Sequence, residues 1–313
     1  MIKLRIKKKL IQIYEFFFEI HRRVVREQKY RLHTRRYRLN IMTFEETIDY
    51  IESSKCSISR FGDGEFDMIL GTRNLKFQKY SHELAKELLE VLSNNNSQLL
   101  LCIPGTFNTI KGCNWHAAMY WTRWAIEENS LEPIVRLLKK RPGKKYRFGN
   151  AQITRPYMDW ESKKNAENTF TRLKKLWLNK DILILEGSQT RLGVGNDLFS
   201  NAKSIKRIIA PAENSFECYE KIKNKVLEFY KGELVIAALG PTATILASEL
   251  ASLNIRTLDI GHIDIEYEWF LNGTKEKIKI EGKYVNEVIG GQEVIECKDE
   301  EYCKQIVARV EKE

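Results

Sequence analysis

Residues 181–195 read DILILEGSQTRLGVG, so a run of aliphatic residues passes directly into a loop that contains three glycines. A second run, residues 234–241, reads LVIAALGP and also ends in a turn. Uninterrupted aliphatic runs are typical of interior strands that are buried on both faces of a parallel sheet. These two segments therefore predict the centre of such a sheet.

Segments of strand and helix character alternate around these two runs. Candidate strands lie at residues 57–61, 98–103, 145–148, 181–186, 204–210, 234–239 and 256–260. Candidate helices lie between most of them, at residues 81–92, 115–129, 131–140, 161–178, 215–230 and 242–253. This alternation predicts an α/β fold with a largely parallel sheet and helices on both faces.

Three shorter features complete the predicted secondary structure. Thr43 and Glu46 have the spacing of a capping box, which predicts a helix that begins after Thr43. Residues 277–297 alternate apolar and polar side chains around glycines, and this pattern predicts a small antiparallel appendage. Residues 299–310 predict a last helix.

The positive charge of the chain is concentrated at its N-terminus. Of 52 Lys and Arg and 42 Asp and Glu, residues 1–40 hold 13 basic and 3 acidic ones, which leaves 39 of each for residues 41–313. Because a nucleic-acid interface requires a clustered excess of basic residues, the neutral body argues against a nucleic-acid partner. The division predicts a basic arm, residues 1–40, and a single domain, residues 41–313.

The basic arm has the pattern of an amphipathic helix. Apolar residues recur at spacings of three and four, at Leu10, Ile13, Phe17, Ile20 and Val24. Such a helix either attaches to an anionic membrane surface or packs on the protein or a partner subunit, and the pattern is typical of both.

The cysteines and the hydropathy indicate the compartment. Six cysteines include no CxxC pair and no zinc-finger spacing, so we interpret them as reduced thiols, which suits the cytoplasm. The chain has no uncharged apolar run of membrane-spanning length and no cleavable signal pattern. We expect a cytoplasmic protein, which is peripheral on the inner face of the cell membrane if the arm binds the membrane rather than packing on protein.

Ligands of parallel α/β sheets bind beyond the carboxyl ends of the strands, and the loop after the first strand reads RFGDGE, residues 60–65. Gly62 and Gly64 allow a tight turn that brings Asp63 and Glu65 towards one hard cation, Mn²⁺ or Mg²⁺. Such a cation neutralises a departing diphosphate. Taken alone, the same pattern also occurs in solvated acidic loops.

Two further loops have features of phosphate sites. In residues 186–197, glycines allow close backbone approach and Arg191 offers a forked donor, although Asn196 equally suits a helix cap. In residues 237–244, Gly240 and Pro241 open a helix whose free N–H groups can hold phosphate, as can Thr242, although a capped turn has the same sequence. GxGxxG and Walker A patterns are absent, which argues against NAD and ATP hydrolysis.

The fourth loop, residues 259–269, reads DIGHIDIEYEW and concentrates carboxylates beside aromatic residues. Asp264, Glu266 and Glu268 share one face if the segment is extended, and Asp264 and Glu268 share one if it is helical. One of these carboxylates is a candidate general base for an acceptor hydroxyl. The alternative is an acidic strand edge without a catalytic role.

At these four loops the sequence resembles the GT-D type glycosyltransferases, a bacterial family once catalogued as a domain of unknown function. The resemblance rests on residues 60–65, 191–199, 240–243 and 259–269, and it extends from about residue 43 to about residue 296. It implies a Rossmann-like domain with a DxE motif, a divalent metal and a UDP-sugar donor, and glucose transfer to a growing glycan. Asp63 and Glu65 match the DxE motif.

Loop placement supplies the other expected roles. Asp264, Glu266 and Glu268 are the catalytic candidates. The expected donor contacts are Arg60, Gly62, Arg191, Gly193, Asn196, Gly240, Thr242 and His262. The leading hypothesis is a metal-dependent hexosyltransferase that acts on a glycan or a glycosylated protein of the cell surface. A metal-dependent phosphoesterase and a non-catalytic, membrane-associated carbohydrate-binding protein are the alternatives.

Overall fold

The aliphatic runs form neighbouring strands at the centre of one sheet. The computed structural model describes residues 21–140, 146–295 and 297–312. Within these residues the strands are β1 (Ser57–Arg60), β2 (Leu99–Ile103), β3 (Gly149–Asn150), β4 (Asp181–Gly187), β5 (Ser204–Ala210), β6 (Leu234–Ala238), β7 (Thr257–Asp259) and β8 (Ile306–Arg309). They form an eight-stranded sheet in the order β3-β2-β1-β7-β6-β4-β5-β8, and the pairings are parallel.

Helices connect the strands, as the alternation of the sequence predicts. Helix α1 covers residues 21–34. The others are α2 (Phe44–Ser54), α3 (Asp63–Leu70), α4 (His82–Ser93), α5 (Trp115–Thr122), α6 (Leu131–Lys139), α7 (Ala166–Lys175), α8 (Tyr219–Phe229), α9 (Pro241–Ser252), α10 (Ile263–Leu271) and α11 (Glu300–Gln305). The predicted capping box of α2 is confirmed, since Thr43 and Glu46 bond each other's backbone N–H.

Alternate residues of the central strands enter two separate cores. Ile182, Ile184 and Ile236 pack in one core with residues of α2, α7 and α10. Leu183 and Val235 pack in the other with residues of α8 and α9. Because neighbouring strand residues point to opposite faces, a continuous aliphatic run fills both cores. The predicted α/β class, with helices on both faces of a parallel sheet, is confirmed.

The chain divides into two compact units. One comprises the described parts of Met1–Leu39 together with Thr106–Lys139 and Asp159–Glu161. The other comprises the described parts of Asn40–Gly105, Lys140–Met158 and Ser162–Glu313, and it contains the whole sheet. The proposed division into an arm, residues 1–40, and one domain, residues 41–313, stays a prediction.

Helix α1 packs within the first unit. The Tyr30 hydroxyl donates to the Thr106 carbonyl at 2.6 Å, and the Thr34 hydroxyl lies 3.2 Å from the Asn108 carbonyl that accepts from it. The Arg26 guanidinium lies over the Trp115 ring, 4.3 Å from its centre. Residues 21–34 therefore pack on the protein itself, whereas residues 1–20 of the predicted arm lie outside the described residues. No helix in the described part of the chain is long and apolar enough to span a bilayer.

Two predictions near the C-terminus are wrong. The described residues of the segment 277–297 form turns and no strand, and Ile289 and Ile295 are exposed although an alternating strand would bury them. The predicted helix at 299–310 ends at Gln305, and residues 306–309 instead form β8. Strand β8 pairs with β5 and so satisfies backbone groups at that edge of the sheet.

Candidate functional site

The site is built where β1 and β7 lie side by side. The chain leaves β1 into α3, which packs on α4, and α4 packs on α9. It leaves β7 into α10, whose apolar residues enter the core of α2 and α7 on the other face. Neighbouring strands whose connections leave to opposite faces open a crevice at their carboxyl ends, which is where ligands of such sheets bind.

A buried ion pair joins the ends of these two strands. The Arg60 side chain lies 3.2 Å from a carboxylate oxygen of Asp259, and its Nε donates to the Asp259 carbonyl at 2.8 Å. Nη1 donates to the Thr154 hydroxyl at 2.9 Å. The second Asp259 oxygen accepts from the Arg60 backbone N–H at 3.1 Å and from Thr244 at 3.2 Å. Arg60, which is expected to contact the donor, thus holds the ends of β1 and β7 together at the base of the crevice.

The Asp63-Gly64-Glu65 turn is the first turn of α3. Gly62 caps the helix, and its N–H donates to Glu65 Oε2 at 2.7 Å. Asp63 is partly exposed and pairs with Arg73 at 3.0 Å. The sequence does not predict this helix, because two glycines disfavour one; a Cβ added at Gly64 would lie 3.1 Å from the Leu75 side chain, so the fit there is tight.

The carboxyl group of Glu65 has a raised pKa. Burial raises its pKa to about 7, and the nearby Asp259 carboxylate adds to the rise, while the Gly62 N–H and Arg60 act against it. The Gly62 N–H donates to Glu65 Oε2. A cation at this carboxylate would stabilise the ionised form of Glu65.

The donor set of the turn fits a hard divalent cation. Asp63 and Glu65 offer carboxylate oxygens, which are the ligands that Mg²⁺ and Mn²⁺ prefer. The described part of the chain contains no cluster of three or more His, Cys, Asp or Glu suited to a metal ion. Mg²⁺ is commonly held by one or two carboxylates together with water and substrate phosphates, so two protein ligands are compatible with it.

The loop between α3 and α4 lies against the start of α9. An added Cβ on Gly240 would lie 2.4 Å from the Phe77 ring, and Gly240 has a φ of +53°. Thr242 is buried, and within the described chain its hydroxyl has no hydrogen-bond partner. Gly240 therefore lies next to Phe77, and the expected donor contacts of Gly240 and Thr242 stay predictions.

The glycine-containing loop after β4 is held by contacts within the protein. The Arg191 guanidinium donates to the carbonyls of Gly282 and Ile295. The Gly193 N–H and the Asn196 amide both donate to one oxygen of Asp264, at 2.9 and 2.8 Å. These three residues fix the loop and the segment after α10 in this structure, and the donor contacts expected of them stay predictions.

The three candidate catalytic carboxylates lie on α10, so the helical alternative applies. Asp264 and Glu268 share one face, and each has an oxygen 2.7 Å from Lys283 Nζ. Glu266 is buried and accepts from the backbone N–H groups of Tyr157 and Met158 at 3.0 and 2.9 Å. Internal donors engage all three groups, and their catalytic role stays a prediction.

His262 precedes α10 and faces a residue that the sequence did not indicate. Its Nε2 lies 3.1 Å from Glu287 Oε2. Glu287 also accepts from Arg155 Nη2 at 2.8 Å and lies 3.9 Å from Lys277 Nζ. Sequence reasoning missed Glu287 and Lys283, because each is a single charged residue in a segment whose only visible pattern is apolar alternation.

Comparison with known proteins gives consistent relatives. The family described as "Glycosyltransferase GT-D fold" matches residues 58–288. The chain is 38% identical over 276 residues to a probable glycosyl transferase Gly of Streptococcus gordonii, covering 88% of this chain and 39% of the relative. It is 34% identical over 275 residues to the glycosyltransferase GlyD of Streptococcus pneumoniae serotype 4, covering 87% of this chain and 33% of the relative. The chain thus spans little more than a third of these relatives.

Solved structures match over nearly their whole length. A domain of unknown function 1792, described as having a distinct glycosyltransferase fold, has a TM-score of 0.82 at 35% identity and covers 88% of this chain and 98% of its own. A new glycosyltransferase of the same domain type from Streptococcus sanguinis has a TM-score of 0.79 at 36% identity, covering 88% of this chain and 100% of its own.

Proposed function

Since the chain belongs to the family of glycosyltransferases with the GT-D fold, we propose that it transfers a hexose from a UDP-sugar to a growing glycan. Glucose is the proposed sugar, and the proposed acceptor is a glycan of a cell-surface polysaccharide or a glycoprotein. Family membership favours this function over the phosphoesterase and the non-catalytic carbohydrate-binding protein considered from the sequence.

One observation carries the proposal: Asp63 and Glu65 lie in the first turn of α3, at the carboxyl end of β1 and beside the Arg60–Asp259 pair. The N-terminus of a helix attracts the negative charge of a diphosphate through its free N–H groups. Carboxylates at the same place would hold a divalent cation, which would supply positive charge to the diphosphate. This combination suits a nucleoside diphosphate whose sugar is being transferred.

The metal and the protein have separate tasks in the proposed reaction. Bound Mn²⁺ or Mg²⁺ neutralises charge on the diphosphate as the sugar leaves. Asp63 and Glu65 would hold the ion, and Glu65 would bind it in its ionised form. Arg73, which pairs with Asp63 at 3.0 Å, balances the charge of that carboxylate in the absence of an ion.

The test is donor binding and turnover by wild type and by Asp63→Ala/Glu65→Ala. We expect UDP-glucose with Mn²⁺ to raise the melting temperature of wild type, because a ligand that binds the native state stabilises it. The double variant should lose this shift and lose at least about 100-fold in transfer or donor hydrolysis, since it lacks the electrostatic stabilisation of the leaving group.

The matched control removes two exposed carboxylates from the first turns of other helices, as Glu45→Ala/Glu83→Ala. This control should keep wild-type activity. Turnover that persists in excess EDTA, or full activity of the Asp63/Glu65 variant, contradicts the proposed metal site. A screen of other UDP-sugars in the same assay identifies the donor.

The N-terminal segment has a proposed partner of its own. Residues 1–20 contain five Lys and Arg, two Glu and three consecutive phenylalanines, Phe16, Phe17 and Phe18. Basic residues attract anionic head groups, and aromatic residues enter the interface. We place the protein at the inner face of the cell membrane on this basis, with α1 packed on the first unit.

A further inference from the structure

The carboxylates that the sequence predicts to be catalytic form contacts within the protein. We therefore expect the general base to be another residue at the strand ends. Asp264 and Glu268 hold Lys283, and Glu266 holds two backbone N–H groups. A base must accept a proton from the acceptor hydroxyl, and at least one oxygen of each of these carboxylates already accepts from protein donors. The group next to them with an unengaged ring nitrogen is His262.

His262 is positioned by the turn that joins β7 to α10. It follows Gly261, at which an added Cβ would lie 1.8 Å from Arg60 Nη2, and thus lies at the same end of the sheet as Asp259 and Glu65. Its ring lies edge-on to Trp269, with centres 5.7 Å apart, and about a fifth of its side chain, 22%, is exposed. The ring is therefore fixed on one side and open to solvent on the other.

The two ring nitrogens have different surroundings. Nε2 lies 3.1 Å from Glu287 Oε2 as an ion-pair contact, is shielded from solvent, and forms no hydrogen bond with any other described residue. Nδ1 has no hydrogen-bond partner among the described residues. A carboxylate next to one nitrogen of an imidazole favours the proton on that nitrogen and leaves the other as a proton acceptor. We propose that His262, oriented by Glu287, is the general base that deprotonates the acceptor hydroxyl.

Glu287 is suited to this positioning role by its charge. Burial alone would raise its pKa, but His262 and Arg155 hold the pKa well below its usual range, with a smaller contribution from Lys277. Glu287 therefore stays a carboxylate at any pH at which the enzyme works. Its segment is anchored nearby, because Lys283 pairs with α10 and Lys76 donates to the Asn286 carbonyl at 3.0 Å.

The proposed step rests on the proposed function and is balanced in atoms and charge. The acceptor hydroxyl transfers its proton to His262 Nδ1 while its oxygen forms a bond to the anomeric carbon. The bond from that carbon to the donor phosphate oxygen breaks, and the electron pair leaves with UDP. The imidazolium is stabilised by Glu287 and returns its proton to solvent after the product departs.

The decisive experiment compares His262→Gln and Glu287→Gln with wild type. Transfer is measured from pH 5.5 to 9, and donor binding is measured by the thermal shift with UDP-glucose and Mn²⁺. His262→Gln should lower kcat about 100-fold or more, the usual contribution of a general base, and should keep donor affinity. Glu281→Gln, an exposed carboxylate of the same segment, is the matched control and should behave as wild type.

Glu287→Gln separates a positioning role from a purely structural one. The charged groups that face the pair are Arg155, Lys277 and, beyond Arg155, Glu266. Without the Glu287 charge the two cations disfavour the imidazolium. We expect kcat to fall about tenfold and the ascending limb of the kcat profile to move to lower pH.

The outcomes separate this inference from the proposed function. Three results would each overturn the base assignment while wild type remains a glycosyltransferase. His262→Gln could have the kcat of wild type or could lose donor binding, or Glu287→Gln could leave the ascending limb of the kcat profile where it is in wild type. If wild type neither binds nor turns over any UDP-sugar, the proposed function fails and the base assignment fails with it.

Discussion

Replacing Gly261 with alanine should destabilise the protein through Arg60. A Cβ added at Gly261 would lie 1.8 Å from Arg60 Nη2, and the backbone there has a φ of +44°. The guanidinium cannot move away freely, because it donates hydrogen bonds to Asp259 and to Thr154. The substitution therefore strains the backbone and displaces the buried cation from its carboxylate.

The two contributions can be separated in size. A side chain in the left-handed region costs about 1–2 kcal/mol. Breaking a buried ion pair by removing one partner costs about 3–5 kcal/mol. Because the displaced Arg60 keeps part of its network and Asp259 keeps Thr244 as a donor, we expect about half of that second amount. Gly261→Ala should thus lower the free energy of unfolding by about 2.5–4.5 kcal/mol.

Urea unfolding of wild type and four variants tests this account. Gly273→Ala is the matched control: Gly273 has a φ of +60° and no atom within 4 Å of the added Cβ, so it should cost only the backbone contribution. In an Arg60→Ala background, Gly261→Ala should also cost only about 1–2 kcal/mol, so a double-mutant cycle yields a coupling of about 2 kcal/mol. Equal losses for the two glycine variants, or a coupling near zero, would refute the reasoning.

Two further predictions concern Glu65 and the N-terminal segment. Burial raises the pKa of Glu65 from 4.5 to about 7, so in metal-free protein its contribution to stability is full below pH 4.5 and is lost as the pH rises through 7. Glu65→Gln should therefore gain stability relative to wild type between pH 5 and pH 8 in urea unfolding, and an equal difference at both pH values contradicts this. Replacing Lys7, Lys8 and Lys9 with Gln should weaken binding to phosphatidylserine vesicles about 100-fold, at about 1 kcal/mol for each charge, with no change on neutral vesicles. Unchanged affinity for the anionic vesicles would leave the segment without a membrane role.

The sheet could be predicted from the sequence because its strands are aliphatic on both faces. Residues 182–185 fill both cores and have no polar position that could suggest a helix or a loop. Strand β3 could not be predicted as well. The sequence pattern predicts it at residues 145–148, whereas the strand is Gly149–Asn150, and Phe148 forms only an isolated bridge with Ile41. A strand of two residues leaves no periodic pattern to detect.

The candidate site could be predicted in part, because its residues follow strands directly. The positions of Asp63, Glu65 and His262 at strand ends could be predicted from the order of apolar segments. Their partners could not, since Lys283 and Glu287 approach from a segment without regular structure. Such contacts depend on how turns fold back onto the sheet, and single charged residues do not reveal that path.

The density of acidic residues on α10 has a structural explanation that changes how its variants should be interpreted. Asp264 fixes the loop after β4 through Gly193 and Asn196, and Glu266 fixes the turn at Tyr157. Removing either leaves buried donors without an acceptor, which costs stability as well as activity. A loss of turnover in these variants therefore identifies a catalytic base only if the fold is intact. A loss of turnover on replacing His262 is easier to interpret, because Nδ1, its proposed reacting nitrogen, forms no hydrogen bond on which another part of the protein depends.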